Sequence, residues 1–264
     1  MPPADSPSPD PDPWAALRAT TRARIGLGRV GDALPLHEVL SFQLAHARAR
    51  DAVHSALDVA AITRDLAPLP AIAVRSAAPD RATYLRRPDL GRQLDPECRD
   101  RLTAARCPAG EWDIVFVAAD GLSPRAVQQH AEPMIRACLS RLPALSAAPI
   151  VIATQARVAL GDGIGELIGA RFCAMLIGER PGLSVADSLG IYLTYQPREG
   201  RRDSERNCIS NIHRHGASQE AASDLLAWLV TEASIRKVTG VALKDDRSPI
   251  GAPDQSILLG RNSQ

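Results

Sequence analysis

The pattern of apolar positions divides the chain into two kinds of text. From Trp14 to about Pro108 the sequence is rich in Ala, Arg and Leu and predicts mainly helix. The clearest periodic stretch begins near Leu36, where Val39, Phe42, Ala49, Val53 and Leu57 recur at helical spacing, with His46 in the same row. A second helix is expected from Asp95, a side-chain N-cap followed by Pro96 in the first helical position and Glu97 in the first turn, running through Leu102 towards Cys107. After Gly110 the pattern changes. Residues 113–118 (DIVFVA), 149–154 (PIVIAT) and 172–177 (FCAMLI) are short apolar runs without polar alternation, as expected of strands buried on both faces of a parallel sheet. Helical stretches lie between them at 124–142 and 163–169, so the strands should be joined by right-handed crossovers. LGIYLTY at 189–195 offers a fourth strand, and 219–237 a closing helix.

This gives an α/β fold class, with a parallel-sheet region over 111–264 preceded by a mainly helical region over 14–110 and a tail over 1–13. The tail holds six prolines among Asp, Ser and Ala and has too little apolar surface to bury, so it should be disordered or extended. Each of the first three strands runs into a small polar or glycine-bearing loop: ADGLS at 119–123, QARV at 155–158 and GERPG at 178–182. Ligands of open α/β sheets bind outside the carboxyl ends of the strands, so these loops should meet at one crevice.

Composition narrows the function classes without naming one. A chain of 264 residues with 45% hydrophobic and 23% charged residues has the balance of a globular protein with one large or two modest domains. A net charge of +1 and an aromatic content of 3% argue against nucleic acid and against an anionic membrane surface. The apolar runs are far too short to span a bilayer. Five cysteines (Cys98, Cys107, Cys138, Cys173 and Cys208) form no CxxC pair, and no basic segment with an apolar run follows Met1. Free thiols in a cytoplasmic setting are expected.

Several candidate motifs have plainer readings. GLGRVG at 26–31 matches GxGxxG but follows a basic segment rather than a strand, and it reads as a glycine-rich turn. Cys208, His213 and His215 lack a further nearby ligand for zinc and read as a buried thiol and two loop histidines. REGRRDSER at 198–206 reads as a solvated loop. Asp120, Asp162, Glu166, Glu179 and Asp187 are the acid/base candidates. For Asp162 and Glu166, a helix cap and a surface glutamate suffice. Glu179 stands apart, because a charge at the mouth of a buried strand points to a ligand. On these residues alone two other readings stay open: a standalone α/β enzyme, such as a hydrolase, using Asp120, Glu179 or Cys208, or a non-catalytic scaffold.

One resemblance gathers these motifs. RIGLG (24–28), YLRRPDLG (84–91), DGLS (120–123), Arg157-Val158 with Gly165-Glu166, GERPGL (178–183) and RNCISNIH (206–213) resemble, in order, the small subunit of ethanolamine ammonia-lyase, over about residues 14–244. The resemblance implies a subunit of a hetero-oligomeric carbon–nitrogen lyase, inactive alone, that splits ethanolamine into acetaldehyde and ammonia by radical chemistry with adenosylcobalamin. It implies a large catalytic subunit as partner and a Rossmann-like domain that contributes to a cobalamin site between the subunits. Cobalamin contacts carried over residue by residue fall on Val158, Glu179 and Cys208, with no catalytic and no metal-ligating residue on this chain. The DxHxxG pattern of cobalamin proteins that replace the lower base is missing, since Ile212-His213-Arg214-His215-Gly216 lacks the aspartate, so the cofactor should keep its own benzimidazole. Some members have longer N-terminal extensions linked to packaging in bacterial microcompartments, and this chain departs from them in its short proline-rich start.

Overall fold

Six strands form one sheet in the order β1-β3-β2-β4-β5-β6: β1 (Ala71–Arg75), β2 (Trp112–Ala119), β3 (Ile150–Thr154), β4 (Ala170–Gly178), β5 (Leu189–Tyr195) and β6 (Arg206–Ile212). The computed structural model describes residues 12–247. The expected proline-rich tail lies outside these residues apart from Asp12, whose carboxylate accepts the Trp14 N–H at 2.9 Å, and Pro13.

β2, β3 and β4 match the three apolar runs, and the reason for their lack of alternation is visible in β2. Ile114, Phe116 and Ala118 enter one core while Val115, Val117 and Ala119 enter the other, all fully buried. The first core is closed by α3 (Val59–Leu66), α6 (Pro124–Arg141) and α8 (Gln219–Arg236). The second is closed by α5 (Arg99–Ala104) and α7 (Leu160–Ile168). Each Leu, Ile or Phe side chain buried there stabilises the fold by about 1.5–3 kcal/mol. Local chemistry sets the helix ends: the Ser123 hydroxyl accepts from Ala126 N ahead of Pro124, and α8 stops at Lys237 in a left-handed conformation with φ 58°.

The structure differs from the sequence reading in several places, β6 among them, since the sequence pattern marks no strand over 206–212. β1 is a strand inside text that reads as helix. It is a five-residue edge strand, AIAVR, parallel to β3, and too short to show a period. The sheet is mixed rather than wholly parallel, because β5 runs antiparallel to β4 and β6 antiparallel to β5. The β4–β5 connection, residues 179–188, holds no helix, and a parallel return needs a crossover. The helix expected from Asp95 is a 3-10 turn (Pro96–Cys98) followed by the short α5, although Asp95 does accept from Glu97 N at 2.9 Å as a cap.

α2 (Leu36–His54) contains the periodic stretch as far as Val53, Leu57 lying beyond its end, and only Ala49 and Ala52 on it are buried. Leu36, Leu40 and Leu44, spaced four apart along one face, are 71%, 54% and 51% exposed. Two further short helices, α1 (Ala15–Thr20) and α4 (Arg81–Arg86), complete the N-terminal region. Among the described residues no helix is long and apolar enough to cross a membrane.

Candidate crevice at the carboxyl ends of the strands

The loops after β2, β3 and β4 meet, as their positions at the strand ends require. Gly121, with φ 54°, lets the first loop lie against the third: a Cβ there would stand 2.2 Å from the Gly178 carbonyl oxygen, which accepts the Leu122 N–H at 2.9 Å. The second loop is bound by Asp120, whose buried carboxylate accepts from Gln155 N at 2.8 Å and Ala156 N at 2.9 Å and pairs with Arg81 at 3.1 Å. Burial pushes this carboxyl up from its ordinary value, while the two N–H groups and Arg81 pull it down. Gln155 is held at φ 55°, a conformation that costs a non-glycine residue roughly 1–2 kcal/mol and that the Asp120 bonds offset. Both oxygens of Asp120 are therefore committed to loop architecture, which removes it as an acid/base candidate.

The resulting crevice has a volume of about 250 Å³, and Tyr84, Gly121, Arg157, Val158, Glu179 and Tyr192 are among its lining residues. Val158 and Glu179 thus share one space. Glu179 is half-buried and oriented from the β5–β6 side: Oε2 accepts from Ser188 Oγ at 2.6 Å and from Asn211 N at 3.2 Å. Its other oxygen faces Gly190, where a Cβ would come within 2.9 Å.

Cys208 sits on β6 directly opposite Tyr192 of β5. Burial pushes the Cys208 thiol up, Tyr192 opposes this, and the charge of Glu179 adds to it, so the sulfur stays protonated at neutral pH. The Tyr192 phenol is likewise raised, by burial and then by Cys208. Cys208 reaches the crevice through Tyr192 at its edge and is itself exposed, where the sequence suggested a buried thiol.

Sequence reasoning missed Tyr84, Arg157 and Tyr192. Tyr84 is fully buried, donates to the Ala156 carbonyl at 2.9 Å, and has its phenol pushed up to about 12 by burial. Its signal was the YLRRPDLG motif, to which no role was attached. Tyr192 lay hidden in the apolar text of β5.

Other candidates are placed elsewhere. Asp162 is not a cap: α7 starts at Leu160, and Asp162 lies within its first turn, buried against Arg206. Nor is 198–206 simply solvated, because Arg206 opens β6 with a side chain only 2% exposed, and Arg201 pairs with Glu205. Glu166 is exposed and accepts from Glu199 N. His213 shapes the turn after β6, with Nε2 2.7 Å from Asn211 Oδ1 and Nδ1 accepting from His215 N at 3.2 Å. Among the described residues no group of three His, Cys, Asp or Glu is arranged to hold a metal. Gly26, Gly28 and Gly31 form a turn between α1 and α2, all with positive φ and with no strand before them.

The donor set suits a ligand that carries amide groups on a broad apolar body. Glu179 accepts N–H groups, Val158 offers a small apolar surface, and Gln155 Oε1 and Arg157 Nε are buried without partners among the described residues. At about 250 Å³ the space falls below the usual range of small-molecule pockets, so a large ligand would find one wall here and not an enclosure.

Comparisons with known proteins agree with one another. The family model of the ethanolamine ammonia-lyase light chain (EutC) matches residues 11–244. The ethanolamine ammonia-lyase small subunit of Rhodopseudomonas palustris is 54% identical over 234 residues, covering 87% of this chain and 89% of the relative. That of Azotobacter vinelandii is 52% identical over 240 residues, 89% of each chain. That of Xanthomonas campestris pv. campestris is 48% identical over 262 residues, 97% of this chain and 96% of the relative.

Proposed function

Because this chain belongs to the ethanolamine ammonia-lyase light-chain family, we propose that it serves as the small subunit of an adenosylcobalamin-dependent enzyme and supplies one wall of a cobalamin site shared with a large catalytic subunit. The reaction is the conversion of ethanolamine to acetaldehyde and ammonia. When bound, the cofactor supplies the radical chemistry, and the residues of this chain position it and exclude water. The parallel strands β1–β4, with α6 and α7 crossing on opposite faces, support the reading of this region as Rossmann-like.

The observation that carries the proposal is the convergence of Val158 and Glu179 in one crevice, with the Glu179 carboxylate oriented by Ser188 and Asn211 rather than neutralised by a cation. A corrin ring is a broad apolar surface fringed with primary amides, and an ionised carboxylate accepts an amide hydrogen bond more strongly than a neutral group does. Val158 allows close approach, and Cys208, held protonated beside Tyr192, offers a small soft contact at the edge. The small volume agrees with a site completed by a partner.

Titration of adenosylcobalamin into the assembled complex tests this. A charge-assisted bond contributes roughly 1.5–3 kcal/mol against about half that for a neutral one, so Glu179→Gln should weaken binding about tenfold and Glu179→Ala more. Assembly should be unchanged in both variants. Unaltered cofactor affinity in Glu179→Ala would refute the contact.

A further inference from the structure

Arg157 occupies a position that the light-chain reading does not use. Its backbone N–H donates to the Gly91 carbonyl at 2.8 Å, and its guanidinium lies 4.5 Å from the centre of the Tyr84 ring. Gly91 makes this possible, since a Cβ there would stand 2.9 Å from both Arg157 Cγ and Tyr84 Cε2. Tyr84 is fixed in turn by its bond to Ala156 and by Arg81, whose guanidinium is 4.9 Å from the ring centre and bridges to Asp120. Three stretches of the chain, 81–91, Asp120 and 156–157, therefore hold one arginine against the crevice wall that contains Val158 and Glu179. What the arginine lacks is an acceptor. Its Nε is buried without a hydrogen-bond partner and its guanidinium forms no ion pair among the described residues, so an oxygen of a molecule filling the crevice would give the terminal nitrogens their acceptor.

We infer that Arg157 is a ligand-binding residue of the crevice, donating to an oxygen of the bound cofactor, with Tyr84 and Gly91 as its positioning residues. The inference rests on the reading of the crevice as a cobalamin site. It adds a donor to the acceptor that Glu179 provides, so the wall presents both polarities to a ligand with amide N–H groups and oxygen acceptors. Two kinds of oxygen on cobalamin fit a guanidinium: the phosphodiester of the benzimidazole tail, which takes a bidentate pair, and the amide carbonyls of the corrin rim.

The test uses the complete chain assembled with its large subunit. Arg157→Met keeps an unbranched stem on the Tyr84 ring and removes the charge. Adenosylcobalamin and adenosylcobinamide, which lacks the phosphodiester and the benzimidazole, are titrated by absorbance into wild type, Arg157→Met and Glu179→Ala, beside gel filtration and a thermal melt. Arg157→Met should bind adenosylcobalamin about tenfold more weakly, with assembly and melting temperature close to wild type. If the phosphodiester is the acceptor, the loss disappears with adenosylcobinamide; if a corrin amide is, the loss persists. Wild-type affinity for adenosylcobalamin in Arg157→Met overturns the inference. So does a loss of assembly with cofactor affinity retained, which would pair Arg157 with the large subunit instead. Wild-type affinity in Glu179→Ala as well would overturn the reading of the crevice itself.

Discussion

At the scale of single residues, the pair Asp162–Arg206 shows how a buried charge organises the strand that carries Cys208. Both side chains are 2% exposed. The Arg206 guanidinium is held by both Asp162 oxygens, by Thr194 Oγ1 at 3.2 Å and by the Arg201 carbonyl at 2.9 Å. This anchors the start of β6 to α7, on the second-core face of the sheet. Removing one partner leaves the other as an uncompensated charge in a dry site, which costs about 3–5 kcal/mol. Asp162→Ala should lower stability by that amount in urea or thermal melts, while Asp162→Leu combined with Arg206→Met should recover most of it. A double variant no more stable than the single one would show that the pair contributes through something other than charge. The partners are 44 residues apart, and an aspartate near a helix start reads in sequence as a cap, so the pair is invisible before the chain is folded. The place of Glu179 in the crevice was legible for the opposite reason, since it depends only on the strand immediately before it.

At the scale of elements, the crevice exists because loops from non-adjacent stretches are packed without space for side chains. A Cβ on Gly178 would stand 2.1 Å from the Ser123 carbonyl oxygen and 2.6 Å from that of Asp120. These are backbone atoms, unable to swing aside, so Gly178→Ala must separate the loop after β4 from the loop after β2. The expected loss is about 1–3 kcal/mol of stability, together with a weaker cofactor site, because Glu179 moves with the loop. Melts and cofactor titration on the same preparation check both effects, and an unchanged melting temperature would mean the loops tolerate separation. The motifs DGLS and GERPGL thus record a backbone contact between the two loops. The three central strands, α6, α8 and the meeting of the loops could be read from the sequence, since each follows from local periodicity and from the rule for strand ends. β1 and β6 could not. β1 is a five-residue edge strand without a period, and β6 has exposed positions at Cys208, Ser210 and Asn211 that break the apolar pattern of a buried strand.

At the scale of the whole molecule, the N-terminal region keeps an apolar stripe that its own core does not use. Leu36, Leu40 and Leu44 run along α2, with Phe42 46% and Leu34 51% exposed nearby. Contiguous exposed apolar surface of this kind marks an interaction site. Leu44 also lines a hollow of about 590 Å³ with Arg24, Arg48, Arg125 and residues 182–187, which continue the Glu179 loop. The stripe therefore runs on to the loop that carries Glu179, and under the proposed function a large subunit that completes the crevice would meet that loop. We expect α2 to pack against that subunit. Leu40→Glu with Leu44→Glu replaces two apolar contacts by charges without touching the core. Each lost leucine contact is worth about 1.5–3 kcal/mol, and each 1.4 kcal/mol is about tenfold, so assembly should weaken at least about hundredfold. The melting temperature of the chain by itself should hardly change, because both positions are already in water. Analytical ultracentrifugation of the variant mixed with large subunit reads the association directly. Wild-type assembly in the double variant would place the interface elsewhere, and the stripe would then need another partner to explain its exposure.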